Sequence, residues 1–297
     1  MEKGNNSIIY EAGYPVLSFD VFEGSLIAII YQADGYSKLS IKNALDQKEL
    51  YFYNLNVAHL NARVMFINSQ YAVCFDGNML LHIDFIQKIE NTLSINVDDF
   101  SLLGSNMSVL LKTGSIILYD LNTGKYKPVY SIDNYKRNEN NENRHVFCQT
   151  HNADLIIVAS DRCIILLQSS AKNKLIDSYC YEDDVIKSIV VDKILKYAVC
   201  IVSNKNRLSV FAFKKEKLEL VDFLDIQNCS CLFIMNNEYL VIGTYVGFVS
   251  VIELKSQKLI YSKQHHISCV RTIIGKKDFS LYSSGDDGII IKSKLLV

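Results

Sequence analysis

Seven short apolar runs punctuate this chain at a nearly even interval, and that interval limits the folds open to it more than any other feature. The runs are Leu26–Ile30, Tyr71–Phe75, Ser108–Leu111, Leu155–Val158, Tyr197–Ile201, Tyr239–Ile242 and Phe279–Tyr282. β-branched and aromatic residues dominate them, as half-buried or fully buried strands require. Successive runs start roughly 36 to 48 residues apart, near the spacing of a four-stranded repeat unit. No sustained helical periodicity competes. The two prolines, Pro15 and Pro128, fall between runs or at their starts, where the missing N–H is tolerated.

Each run is followed by a turn and another strand. The third unit is the clearest. Lys112-Thr113-Gly114 leads into Ser115–Leu121, and Asn122-Thr123-Gly124 follows. The sixth unit has Gly243-Thr244, Gly247 and then Val249–Leu254. The seventh holds His265-His266 before one strand, Ser283-Ser284-Gly285 at the end of a second, and Asp286-Asp287-Gly288 as the turn into a third.

These three units resemble the WD-repeat β-propeller family. Tyr119-Asp120 stands where the family's Trp-Asp pair is usual, with Ile252-Glu253 and Ser293-Lys294 in the sixth and seventh units. The chain has no Trp. The family's His–Ser/Thr–Asp–Trp tetrad is therefore expected to be incomplete in every unit. Only the seventh offers the other three members: His265 or His266, Ser283 or Ser284, and Asp286 or Asp287. The blade motif is assigned to His266, Ser284 and Asp287, with Tyr119 and Asp120 in the third unit. The resemblance implies an all-β chain, residues 1–297 forming a single seven-bladed β-propeller. The seventh unit ends one strand short, while Ser7–Tyr10 is an isolated β run. The N-terminal strand is expected to become the outer strand of blade seven and close the ring.

One stretch breaks the rhythm. Residues 133–144 carry a single apolar residue, Tyr135. Such a segment cannot offset its ordering entropy by burial, and a flexible insertion between blades is expected.

Composition sets outer bounds. Hydrophobic residues are 49% of the 297, enough for a sizeable core. The formal net charge is −1, so no global attraction draws the chain to nucleic acid or anionic membrane. No apolar h-region opens it and no run approaches the ~20 residues of a membrane span. An intracellular location, cytoplasmic or nuclear, is expected. The eight cysteines sit mainly in apolar runs and read as reduced core thiols. Cys229-x-Cys231 lacks a second ligand pair at zinc spacing, so no metal and no cofactor are expected.

No nucleophile elbow, phosphate-cradling loop or His-Glu-x-x-His appears, and no catalytic residues are assigned. Asp98–Asp99 and Glu182–Asp184 read as solvated loops entering their units. What recurs is basic. Arg63, Lys187 and Arg271 fall at matching places in strands that, in a propeller, line the central channel. Together they suit an acidic peptide or a phosphate. The alternative is that each pairs with a local carboxylate such as Asp20 or Asp184. The resemblance implies a non-catalytic interaction scaffold, a subunit of a larger complex whose partners are proteins. A second reading is the non-catalytic partner of an RNA-modifying enzyme, of the tRNA methyltransferase kind, with RNA a possible partner.

Overall fold

In a computed structural model of the chain, the structure describes residues 6–55, 61–103, 106–131, 146–150, 155–160, 162–168, 174–182, 185–192, 197–202, 207–214 and 217–295. The expected insertion at 133–144 lies outside these residues. The described residues form seven four-stranded antiparallel sheets, the blades of a seven-bladed β-propeller. No helix is long and apolar enough to cross a membrane, among the described residues.

In chain order, β1 (Ser7–Glu11) precedes the first complete meander of β2 (Val16–Phe22), β3 (Leu26–Ala33), β4 (Tyr36–Asn43) and β5 (Glu49–Leu55). The second comprises β6 (Arg63–Phe66), β7 (Tyr71–Phe75), β8 (Leu80–Asp84) and β9 (Ile89–Ser94). The third holds β10 (Val97–Leu103), β11 (Asn106–Leu111), β12 (Ser115–Asp120) and β13 (Lys125–Ser131). The fourth holds β14 (Val146–Thr150), β15 (Leu155–Ser160), β16 (Cys163–Gln168) and β17 (Lys174–Cys180). The fifth holds β18 (Ile186–Val191), β19 (Tyr197–Val202), β20 (Arg207–Lys214) and β21 (Lys217–Asp225). The sixth holds β22 (Cys229–Met235), β23 (Tyr239–Thr244), β24 (Phe248–Glu253) and β25 (Lys258–Gln264). The seventh contributes β26 (Val270–Gly275), β27 (Ser280–Gly285) and β28 (Ile289–Lys294), and its fourth strand is β1, antiparallel to β28.

All seven apolar runs of the sequence are second strands. They are sandwiched on both faces, which is why they read as continuous rather than alternating. The chain forms two compact units. One is Met1–Ile95 with Asn228–Val297, and the other is Asn96–Gln227. In the first, neighbouring blades share apolar clusters: Val251 with Val270 and Leu281, Phe19 and Ile29 with Ile290, and Leu39 and Ile41 with Leu81 and Ile83. In the second, Leu110 and Ile116 pack with Val158, and Ile164 packs with Ile189 and Phe211.

Two irregularities recur. Every outer strand carries one extra residue opposite its partner, and each time it is aliphatic: Ile9, Leu50, Leu93, Val129, Ile176, Val221 and Ile260. A bulge of this kind bends the strand and sharpens its twist. Five first strands carry a second bulge near their start, at Leu17, Asp98, Lys187, Ser230 and Arg271. Asp98 and Asp99 therefore belong to β10 rather than to a loop, and Asp99 is buried.

The cysteines depart from the expected pattern. Cys163 and Cys180 form a disulfide. They stand directly opposite one another at the ends of β16 and β17, Cys180 exposed and Cys163 half-buried. Neither sits mid-strand, and pairing in register brings their Cβ atoms to one face. Cys74, Cys229, Cys231 and Cys269 are free. Burial pushes the Cys229 and Cys231 thiols up to about 12, so both stay protonated.

Candidate functional site

The seventh blade is organised by a buried polar chain. His266 Nδ1 lies 2.9 Å from Asp287 Oδ1, and its Nε2 lies 2.9 Å from Ser283 Oγ. The same hydroxyl is 2.9 Å from His265 Nδ1, and His265 Nε2 is 2.7 Å from the Tyr261 hydroxyl. Asp287 can only accept, so His266 Nδ1 donates to it. With both imidazoles neutral, every remaining bond then has one consistent sense. Tyr261 O–H donates to His265, His265 to Ser283, and Ser283 to His266. Burial holds His265 down at about 4, which keeps that ring neutral. Ser293, in the place expected of Trp, donates to Asn6 Oδ1 at 2.8 Å.

The hydroxyl in this chain belongs to Ser283, not to Ser284 as the sequence reading assigned. Neighbours on a strand face opposite ways, and only one of the two can meet the imidazoles. Ser284 Oγ is buried with no partner among the described residues. Asp287, His266 and Ser283 have the connectivity of a hydrolytic triad, but Ser283 is 0% exposed and bonded to two rings. No substrate reaches it. Its work is to clamp the 265–269 segment. Gly285 is required beside it, because a Cβ there would sit 2.9 Å from His266 Cγ.

Tyr119 and Asp120 also act locally. Tyr119 is buried against the Tyr126 ring, 5.4 Å away. Asp120 accepts from Thr123 Oγ1 at 2.9 Å and from the Asn122 N–H at 3.0 Å, and the Thr123 bond leads in holding its carboxyl below the usual range. Asp84 does the same for the Ile86 and Gln87 N–H groups after β8, a role the sequence reading missed. The shared signal is an acid ending a third strand.

The clamped segment is tied on both sides. The His265 and His266 N–H groups donate to Gly247 O at 3.0 and 3.1 Å. Gly247 has φ +87°, and a Cβ there would fall 1.9 Å from His266 O, so this contact demands glycine. On the other side, Ile267 N–H donates to Asp287 Oδ2 and Asp286 N–H to Cys269 O. Next along, Ala12 N–H donates to Gly288 O and Gln32 N–H to Pro15 O. Four turns and loops of the first unit, with the end of β3, thus form one hydrogen-bonded face. Its exposed side chains are apolar: Tyr245, Val246 and Phe248 at one turn, Ile267 (88% exposed) on the clamped segment, and Tyr14 and Tyr36 beyond it. Turns are ordinarily polar, so this exposure is unusual.

Arg271 stands at this face. Its Nε and one terminal NH2 fork onto Asp286 at 2.7 and 2.8 Å, a bidentate pair about a third exposed. The Asp286 hydrogen bond raises the guanidinium further above its ordinary value. The local carboxylate is thus Asp286, neither of the two named from sequence. Arg63 opens β6 and lies 5.9 Å from the Phe75 ring centroid, at cation–π range. Lys187 is exposed and belongs to the second unit. Lys187 and Arg271 share a bulged setting. Arg63 pairs in regular register with Phe75. No group of three His, Cys, Asp or Glu side chains among the described residues is placed to hold a metal ion.

No family model matches the chain, and no curated protein matches it. Among solved structures, the chain is similar to the computationally designed Ika8 protein, with a TM-score of 0.61 at 12% identity, covering 97% of this chain and 98% of that one. At that identity the likeness shows the fold.

Proposed function

We propose that the protein is a non-catalytic interaction scaffold of the WD-repeat kind, a subunit of a larger intracellular complex. It takes a protein partner on the apolar face built by residues 245–248, 265–269, 286–288 and 12–15. The observation that carries this reading is the pairing of exposed Ile267 and Tyr245 with a rigid, buried clamp directly beneath them. Energetic hot spots are large apolar and aromatic side chains held in place before binding. The His266–Ser283–Asp287 chain supports the WD-repeat resemblance, with His265 taking the bond to serine that a Trp would otherwise make. Arg271 adds polarity at the rim: a partner carboxylate can exchange for Asp286 on its fork. An anionic contact that also uses Arg63 and Lys187 belongs to the same proposal.

The test is a tagged pull-down with the wild type and with the double variant Tyr245→Ala, Ile267→Asp, both exposed positions. The variant is expected to lose specific partners and keep its melting temperature. An identical set of captured proteins from both would sink the proposal, as would a variant that loses partners only because it unfolds.

A further inference from the structure

The Cys163–Cys180 bridge of the second unit has the setting of a reactive site. The two cysteines are the end pair of β16 and β17, and the chain beyond them stays tied. Tyr181 N–H donates to Arg162 O at 2.9 Å, and the Arg162 guanidinium donates to Glu182 O at 2.6 Å. The same backbone tie joins His265 to Gly247 in the sixth blade, where Phe248 and Gln264 take the places of the two cysteines. Tyr179 and Tyr181 flank Cys180 and pack on the Phe211 ring, 5.0 and 6.5 Å between centroids. Neighbours on a strand face opposite ways, so the bridge lies on the other face of the blade. Cys180 is exposed there and Cys163 half-buried.

The sheet holds together without the bridge. Leu218 N–H donates to Asp177 Oδ2 at 2.7 Å, and Ile176, Tyr179 and Tyr181 pack with Ile164 and Phe211. Its ladder on β16 and its contacts with the fifth blade therefore keep β17 in place in either redox state. The free thiols do not compete. Burial raises Cys74, Cys229, Cys231 and Cys269, and it is the thiolate that exchanges.

We infer that Cys163–Cys180 is a thiol–disulfide exchange site, attacked at Cys180 by the thiol of glutathione or of a dithiol protein. The incoming thiolate bonds to Cys180 Sγ, the S–S bond breaks, and Cys163 leaves as a thiolate that takes up a proton. A second thiol then attacks the mixed disulfide, becomes oxidised with the first, and leaves Cys180 as a thiol. Two electrons pass from the thiols to the bridge. Access selects Cys180 as the sulfur attacked, and the anchored Arg162 guanidinium, next in the chain to Cys163, favours the departing thiolate. In the intracellular setting proposed above such a bridge faces a reducing thiol pool, but exchange is a property of the chain and is tested without that setting. The site shares no residue with the apolar face, so either proposal can fail alone.

The test equilibrates the full-length protein in glutathione buffers, blocks free thiols with a maleimide and reads the product by mass, with circular dichroism on the same samples. The reduced fraction should rise from a tenth to nine-tenths as [GSH]²/[GSSG] increases about eightyfold, as for one two-electron couple, while the circular dichroism stays unchanged. A parallel series adds a reduced dithiol protein of the thioredoxin class. A bridge that opens in glutathione alone takes a small thiol, and one that opens only with the dithiol protein takes a protein partner. A bridge that stays closed to both, or opens only as the protein unfolds, would overturn the site. Cys163→Ser, which leaves Cys180 alone, should take up one glutathione from its disulfide at least about tenfold faster than Cys180→Ser. Equal rates would overturn the assignment of Cys180. Should either variant fail to fold, the same choice is read in wild type from which cysteine carries the transient glutathione, located by peptide mass.

Discussion

His265 is a residue whose protonation state the fold dictates. Its ring accepts from Tyr261, donates to Ser283 and sits against His266 and Lys263, so a second proton would meet a donor and two neighbours that repel it. Burial and these charges lower its folded value to about 4 from an ordinary 6.5. Between those values the unfolded chain binds the proton and the folded chain does not. Stability from this residue is therefore complete above about pH 6.5 and is lost as pH falls toward 4. Urea melts across that range should show wild type losing roughly 2–4 kcal/mol more than a His265→Gln variant. Parallel curves for the two would dismiss the assignment. At this scale the sequence was partly legible. The His, Ser and Asp types were readable from their spacing, but the choice of Ser283 over Ser284 depends on which face of β27 meets the rings. Arg271 was identified as a cation of interest, while its partner Asp286 lies across a strand register that no local pattern reveals.

At the scale of the element, second strands were legible and outer strands were not. Tyr71–Phe75 and Tyr239–Thr244 are enclosed on both faces and read as unbroken apolar runs. Ile89–Ser94 and Lys258–Gln264 are largely exposed, and a bulge interrupts the alternation of each. The Cys163–Cys180 pairing was hidden for the same reason, since only the register of β16 on β17 brings the two together. The apolar face was missed because turns have no periodicity to detect. β1 is the exception among outer strands: its isolation ahead of β2 made it visible. That its pairing with β28 closes the ring of blades is a proposal that truncation tests. Ile9 and Tyr10 pack beside Phe19, Ile29 and Ile290. Removing residues 1–12 should lower the melting temperature by several degrees, about 2–4 °C per kcal/mol for a chain of this size, and raise light scattering. A monomeric truncation that melts like wild type would count against closure.

For the whole molecule, the near balance of 31 basic and 32 acidic residues matters to how it meets a partner. A net charge of −1 provides no long-range steering, and the proposed contact face is mainly apolar. Association with a purified partner should proceed at an unsteered rate of about 10⁵–10⁶ M⁻¹s⁻¹. Raising salt from about 50 to 500 mM should change that rate by less than about threefold, because there is little field to screen. A steep loss of affinity with salt, log against log, would instead mean that phosphates are being contacted, and would favour an RNA-bound assembly.

The aliphatic bulge present in every outer strand bears on how the protein behaves when crowded. A cross-β stack grows by adding flat, in-register strands to a template with an uninterrupted hydrogen-bonding row. Ile9, Leu50, Leu93, Val129, Ile176, Val221 and Ile260 each break that row once and twist the strand where they do. A chain rich in strands and in β-branched residues thus presents seven edges, none of which can seed a fibril in regular register.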